Sequence, residues 1–324
     1  MRWLVTGGAG YIGAHVVASL RAAGLTPVVL DDLSSGRRGF LPDDVEFVQG
    51  SLLDPAALDE AVGVNLTGVI HVAGYKYAGI SVERPLHTYE QNVTGTERLL
   101  DAMQRHGVDK LVFSSSAAVY GTPQADVERV TEDSPTRPES PYGESKLIGE
   151  WLIRAQARAT GLAHTSLRYF NVVGSGLDDV ADLSPYSLYS LVFQALEAGR
   201  SPQIYGNDYP TPDGTCIRDF VHVADLAHSH VVAARRLAAG EPVAPVYNLG
   251  SGTGTSVAEI MRAMAEVTGI DFEPEIVARR PGDPSSVVAD GTLAARDLEW
   301  ASRHSVRDTI ASAWAARARI TAAS

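Results

Sequence analysis

Apolar and polar positions alternate in blocks along the first half of the chain, and the blocks predict strands and helices in turn. Short β-like runs fall at residues 3–5, 27–30, 45–48, 68–72, 110–113 and 164–168. Helical patterns lie between them, as at 12–23 and 55–62. Strand–helix alternation at this spacing predicts a parallel sheet covered on both faces by helices. Right-handed crossovers turn such a sheet into a doubly wound α/β fold.

Beyond about residue 171 the alternation weakens. Residues 173–185, rich in Gly, Asp and Ser, read as a loop; 188–198 reads as a helix and 206–214 as a run of turns. Residues 221–237 then read as a helix, 246–249 as a strand, 257–268 as a helix, and the Ala/Arg-rich 310–323 as a terminal helix. The expected organisation is a nucleotide-binding domain over 1–170, to which segments around 215–250 return. A smaller C-terminal lobe over 171–324 would cap the sheet and build a substrate cleft.

Composition narrows the class. The 324 residues, 45% hydrophobic, suffice for one substantial core and a smaller lobe. A net charge of −12 argues against general affinity for nucleic acid or an anionic membrane. A locally basic pocket for an anionic substrate remains compatible with it. Cys216 is the only cysteine, so no intrachain disulfide forms, which fits a cytoplasmic setting. No apolar run approaches the roughly 20 residues of a membrane span. The opening Met1-Arg2-Trp3-Leu4-Val5 breaks at once into glycines and does not read as a signal peptide.

Those glycines carry the first candidate chemistry. In Thr6-Gly7-Gly8-Ala9-Gly10-Tyr11-Ile12-Gly13, residues Gly7, Gly10 and Gly13 stand between the first predicted strand and the first predicted helix. A backbone that turns sharply and approaches a pyrophosphate closely leaves no room for a Cβ. The helix N-terminus, with Tyr11 and Ile12 in its first turn, offers free N–H groups to the phosphates. The bland alternative is a plain tight turn; the strand–helix setting favours a Rossmann-like dinucleotide site. Asp31 ends the second strand, where an acid binds the ribose hydroxyls, and Asp31 with Asp32 would repel a 2′-phosphate. NAD is therefore expected rather than NADP, although Arg37 and Arg38 stand nearby.

Ser114-Ser115-Ser116 follows the fifth strand, at the edge that faces the cofactor crevice. Tyr142 and Lys146 lie four apart, on one face if helical. Taking a proton from a sugar hydroxyl near neutral pH needs a base, and free tyrosine titrates near about 10. A lysine ammonium and a positive nicotinamide ring both favour the phenolate. Ser116 would hydrogen-bond the reacting oxygen.

With these motifs the chain resembles the extended short-chain dehydrogenase/reductase superfamily and, within it, the UDP-glucose 4-epimerases. The likeness runs through Ala73-Gly74-Tyr75-Lys76, Gln91-Asn92-Val93-Thr94-Gly95-Thr96, Arg168-Tyr169-Phe170-Asn171, Arg218-Asp219-Phe220-Val221-His222-Val223 and Arg279-Arg280-Pro281-Gly282-Asp283. The resemblance implies that Lys76, Asn92 and Tyr169 contact NAD. It gives catalysis to Ser116, Tyr142 and Lys146. It assigns the nucleotide diphosphate and its ribose to Asn171, Arg218, Arg280 and Asp283. It further implies transient oxidation at C4 of a nucleotide-linked hexose, rotation of the 4-keto sugar, and hydride return to the other face. A homodimer through helices near 86–105 and 149–159 is implied as well.

Departures from the commoner pattern touch NAD retention at Ser51 and substrate specificity at Ser187 and Val287. Ser51 stands where an aspartate often meets adenine, and Val172 where proline is frequent. Ser187 replaces an asparagine that contacts the diphosphate, and Val287 a tyrosine of the sugar pocket.

Other readings fit less well. A 4,6-dehydratase needs an acid–base pair beside Ser116, where Ala117 and Ala118 follow. A UDP-glucuronate 4-epimerase would carry threonine at Asn171 and a basic loop, whereas 174–182 is acidic. A non-catalytic NAD-binding scaffold would tend to lose the Tyr–Lys pair. Metal catalysis is not expected, because His228 and His230 fall on different helix faces.

Overall fold

The computed structural model describes every residue except Val64, Ala125, Asp126, Pro281, Gly282 and Ser324. Two members of the 279–283 motif, Pro281 and Gly282, thus lie outside the described residues. The strands in chain order are β1 (Arg2–Thr6), β2 (Thr26–Asp31), β3 (Glu46–Gln49), β4 (Gly68–His71), β5 (Lys110–Ser116), β6 (Ala163–Tyr169), β7 (Asn171–Val173), β8 (Gln203–Tyr205), β9 (Ile217–His222), β10 (Val246–Leu249), β11 (Gly254–Ser256), β12 (Glu275–Val277) and β13 (Ser286–Val287).

A seven-stranded sheet in the order β10-β6-β5-β4-β1-β2-β3 forms the centre, and all its pairings are parallel. Successive side chains of a strand point to opposite faces, and both faces here are covered. Val5, Ile70, Val112 and Leu167 pack on one side with the helices Tyr11–Ala22 and Val223–Ala239. Leu4, Val28, Val69, Leu111 and Phe113 pack on the other, against Leu58, Leu99, Met103 and Ile153. The fold is the expected α/β doubly wound, Rossmann-like sheet. Strand order reverses between β1 and β4, which opens a crevice at their C-terminal ends.

A second sheet of four strands centres on β9, which pairs with β7, β11 and β13. Its register sets Val287 beside Arg218 and Asn171 beside Phe220. Strands β8 and β12 form a separate parallel pair.

Three expectations need correction. Residues 221–222 end β9, and the helix is Val223–Ala239, because β9 stays paired with β7 up to His222. The His222 Nδ1 then accepts from the Ala224 N–H at 3.1 Å and caps the helix. Val173, read as loop, closes β7 opposite His222. The terminal helix is Val306–Ala323, four residues longer at its start. Ser305 and Asp308 cap that start reciprocally: the Asp308 N–H donates to Ser305 Oγ at 3.2 Å, and the Ser305 N–H to Asp308 Oδ2 at 2.9 Å. Among the described residues, no helix is long and apolar enough to cross a membrane.

Candidate active site

The crevice at the strand ends opens into a continuous cleft of about 2030 Å³. That exceeds the roughly 300–1,000 Å³ of a single small-ligand pocket. It takes in the glycine loop, the ends of β5 and β6, and the β9–β13 wall.

At one end, Gly7 leaves β1 with φ +69, and a Cβ there would lie 2.8 Å from the Ala73 backbone. A Cβ on Gly13 would sit 2.1 Å from the Gly7 carbonyl oxygen. The loop and helix can therefore meet only with glycine at both positions. Helix Tyr11–Ala22 starts at Gly10 with no side-chain cap and no acid in its first turn. Its first amides are thus left for an anion. Tyr11 itself turns away and donates to the Gly174 carbonyl at 2.5 Å. Asp31 is buried and accepts from the Ala9 and Leu33 N–H groups at 2.9 and 2.8 Å. Burial raises its carboxyl, and these backbone donors hold it down. Each oxygen keeps a further lone pair for a ribose hydroxyl. This cradle fits a dinucleotide. Among the described residues, no group of three His, Cys, Asp or Glu is placed to hold a metal ion.

The middle of the cleft is built by helix Pro141–Thr160. Ser140 caps it by accepting from the Gly143 N–H at 3.2 Å, and Pro141 takes the first turn. Tyr142 and Lys146 share its buried face. The Tyr142 phenol faces the Ser116 hydroxyl, and Lys146 Nζ donates to the Ser114 carbonyl at 3.0 Å. Burial pushes the Tyr142 phenol up, and the Ser116 contact pulls it partly back. Burial pushes the Lys146 ammonium down to about 8. Tyr169 ends β6 opposite Ser116, with its phenol near the Ser114 hydroxyl.

The far wall carries the residues given to the nucleotide. Arg218 Nη2 lies 2.5 Å from Asp283 Oδ1. The Arg280 guanidinium stacks on the Tyr205 ring at 3.8 Å. Asn171 Nδ2 donates to the Asp219 carbonyl at 3.1 Å. Ser187 precedes helix Leu188–Glu197, its hydroxyl buried without a partner. Val287 lines the cleft beside Phe170 and Tyr120.

Of the residues given a catalytic, cofactor or substrate role from sequence, all but Asn92 line the cleft. Asn92 lies behind it. Its Oδ1 accepts from the Tyr75 N–H at 2.6 Å, and its Nδ2 donates to the Tyr75 carbonyl at 3.0 Å and to Ser145 Oγ at 2.8 Å. Asn92 thus shapes the segment that bears Lys76 rather than facing the cleft. Lys76 reaches Asp182 Oδ1 at 3.3 Å.

Comparison with known proteins is decisive for the family. The sequence model of the NAD dependent epimerase/dehydratase family matches residues 3–250. The chain belongs to the NAD dependent epimerase/dehydratase family. Its relatives cover nearly the whole chain. A UDP-glucose 4-epimerase of Azospirillum brasilense is 43% identical over 314 residues, which cover 95% of this chain and 89% of the relative. One of Corynebacterium glutamicum is 40% identical over 320 residues, covering 97% and 95%. A crystal structure of UDP-glucose-4-epimerase from Stenotrophomonas maltophila, with bound NAD and formylated UDP-arabinopyranose, superposes with a TM-score of 0.93 at 36% identity, covering 100% of both chains.

Sequence reasoning on this family member missed several residues around the site. Glu150 continues the Tyr142–Lys146 face by one more turn and pairs with buried Arg168 at 2.7 Å. The four-residue spacing was legible; its buried partner on β6 was not. His230, considered only as a metal ligand, hydrogen-bonds Ser114 Oγ through Nε2 at 3.0 Å. Tyr77 and Tyr186 line the cleft with no motif to mark them, and Tyr75 lines it as a motif residue given no role.

Proposed function

We propose that this protein is an NAD-dependent isomerase that inverts the C4 hydroxyl of a nucleotide-linked hexose, with UDP-glucose and UDP-galactose as its pair. One observation carries the reading. A continuous cleft joins an uncapped glycine-loop helix to a wall bearing Arg218 and Arg280, with Ser116 and Tyr142 between them.

Gly7, Gly10, Gly13 and the first-turn amides of Tyr11 and Ile12 hold the cofactor pyrophosphate. Asp31 holds the adenosine ribose, and Lys76 and Tyr169 stand toward the nicotinamide half. When bound, NAD supplies the acceptor and then the donor of the C4 hydride, so no second substrate is consumed. The Tyr142 oxygen takes the C4 hydroxyl proton, and Ser116 holds the reacting oxygen. Burial opposes the Tyr142 phenolate, so positive charge beside it is essential. Lys146, with its ammonium 5.9 Å from the Tyr142 ring, supplies part of it. Arg218 and Arg280, aided by Asn171, Ser187 and Asp283, grip the diphosphate and ribose. That grip lets the freed 4-keto sugar turn about its phosphate link while the nucleotide stays. Tyr142 then returns the proton as the opposite face of C4 is reduced.

The reading extends to a cytoplasmic homodimer. Leu86 and Trp151, 82% and 51% exposed, stand on the two helical regions proposed to pair. Burying such apolar side chains favours association; sedimentation of the purified protein tests it.

The experiment for the activity mixes purified protein with UDP-galactose and no added NAD. UDP-glucose should accumulate to equilibrium, and denatured protein should release NAD. No interconversion of any UDP-hexose, or release of NADP, overturns the proposal.

A further inference from the structure

The mouth of the cleft carries contacts that no step of the proposed reaction uses. On one side, the segment after β4 presents Tyr75, Lys76 and Tyr77. Asn92 fixes it by pairing both backbone groups of Tyr75. The Tyr75 ring meets Tyr77 edge-on at 5.3 Å and His87 at 5.0 Å, so the segment is braced as well as tethered. On the other side, the loop between β7 and helix Leu188–Glu197 presents Asp182 and Tyr186. Two local turns shape it: the Ser184 N–H donates to Asp182 Oδ1 at 3.1 Å, and the Tyr186 N–H to Ser184 Oγ at 3.3 Å.

Two contacts join the sides. Lys76 Nζ lies 3.3 Å from Asp182 Oδ1, and the Tyr77 and Tyr186 rings meet edge-to-face with centroids 5.0 Å apart. All four residues line the cleft. Tyr186 is 50% exposed and the Lys76 side chain 44%, which puts the contacts at the mouth and not on the floor.

We propose that Asp182, Tyr77 and Tyr186 form a clasp that closes the cleft mouth over bound NAD and slows its escape. The proposal rests on the cofactor reading above. A cofactor regenerated within each turnover has no need to leave, so a slow exit costs the reaction nothing. The contacts suit that task. An exposed ion pair and a single edge-to-face ring pair are each weak. Together they hold two segments shut on average, yet open thermally without disturbing either sheet. The acidic loop acts here through one carboxylate that meets the cleft's own lysine. Asp182 has a rival role with the opposite sign: a carboxylate on Lys76 would compete with the cofactor for that ammonium.

The test measures NAD release from the holoprotein. Wild type, Tyr186→Ala, Tyr186→Phe and Asp182→Asn are charged with NAD and freed of excess. NAD appearing in ultrafiltrates is then followed over time. Tyr186→Ala should release NAD about 2–10-fold faster, the range expected for one aromatic pair. Tyr186→Phe, which keeps the ring, should match wild type. Asp182→Asn should also release faster, and high salt should speed wild type but not Asp182→Asn. Release from Tyr186→Ala at the wild-type rate overturns the clasp. Slower release from Asp182→Asn overturns it too, and assigns Asp182 to competition. Wild-type protein that carries no NAD and takes none up overturns the cofactor reading, and the clasp with it.

Discussion

Tyr142 and Lys146 stand one turn apart on helix Pro141–Thr160, and each meets a different serine of β5: the Tyr142 phenol faces the Ser116 hydroxyl, and Lys146 Nζ donates to the Ser114 carbonyl at 3.0 Å. The strand therefore fixes the ammonium directly and sets the Ser116 hydroxyl beside the phenol. Lys146 cannot shift along the helix axis without losing its carbonyl partner.

Tyr142→Phe follows directly. It removes the ionisable oxygen and leaves the ring in its buried site. We expect kcat to fall about 10²–10⁴-fold, the usual contribution of a positioned acid–base group. NAD content and melting temperature should stay near wild type, since Asp31 and the glycine loop are untouched. Turnover at the wild-type rate would remove Tyr142 from proton transfer.

The same helix face continues to Glu150, whose Oε1 and Oε2 accept from Arg168 at 2.8 and 2.7 Å. Ser115 Oγ donates to the same carboxylate at 2.6 Å. Both charges are buried, so removing one strands the other in a low-dielectric interior. Urea unfolding of Glu150→Ala should show a loss of about 3–5 kcal/mol. Adding Arg168→Met should recover part of it, because the orphan charge goes too. A double variant no more stable than the single one would show that the pair's cost lies in packing.

Acid should destabilise the protein through buried histidines. Burial pushes His15 and His230 down to about 4 and His71 to about 3. In the unfolded chain each titrates near about 6.5. Between these values the unfolded chain binds more protons, so stability present above about pH 6.5 is lost as pH falls toward 4. Each such proton contributes a slope of about 1.4 kcal/mol per pH unit. His15→Gln should flatten the slope by about one proton's worth across that window. An unchanged slope would show that His15 does not titrate with unfolding.

The central sheet was legible because its strands are local. Leu4 and Val5 fall on opposite faces, both covered, so their run needs no distant information. The second sheet was not legible in the same way. β9 contains Arg218 and Asp219, poor strand signals, and Asp219 is buried only because Ser251, Gly252 and Ala289 donate to it from far along the chain. β8, β12 and β13 have two or three residues each, too few for a period to show. The earlier start of the last helix was readable, since Ser305 and Asp308 have capping-box spacing. At the site, motif spacing singled out Ser116, Tyr142 and Lys146, which the fold brings together in the cleft. It carried no trace of Lys76 meeting Asp182 across more than a hundred residues. Arg168 was quoted within a motif, yet its partner emerges only when β6 and helix Pro141–Thr160 lie side by side.

We propose that Val287, which lines the cleft, sets the breadth of the sugar pocket. It lies on β13 beside Arg218, with Val119, Tyr120, Val130 and Phe170 in the same apolar cluster. A tyrosine here would project a ring into space that valine leaves open in the cleft. The 2-acetamido group of an N-acetylhexosamine needs more room than a hydroxyl, so it is the group a ring would exclude. Two effects limit the gain from valine. Its branched side chain is stiff at χ1, and small differences of apolar fit are worth only about 1–3 kcal/mol. UDP-glucose and UDP-galactose should therefore remain the better pair, with weaker turnover of UDP-GlcNAc and UDP-GalNAc. The decisive comparison is kcat/KM on both pairs for wild type and Val287→Tyr. Tyrosine should depress the N-acetylated pair by about ten- to a hundredfold more than the plain pair, the selectivity expected of such a pocket change. Equal losses on both pairs would show that residue 287 shapes the pocket without gating the 2-substituent, and would leave Phe170 as the neighbouring wall residue to test next.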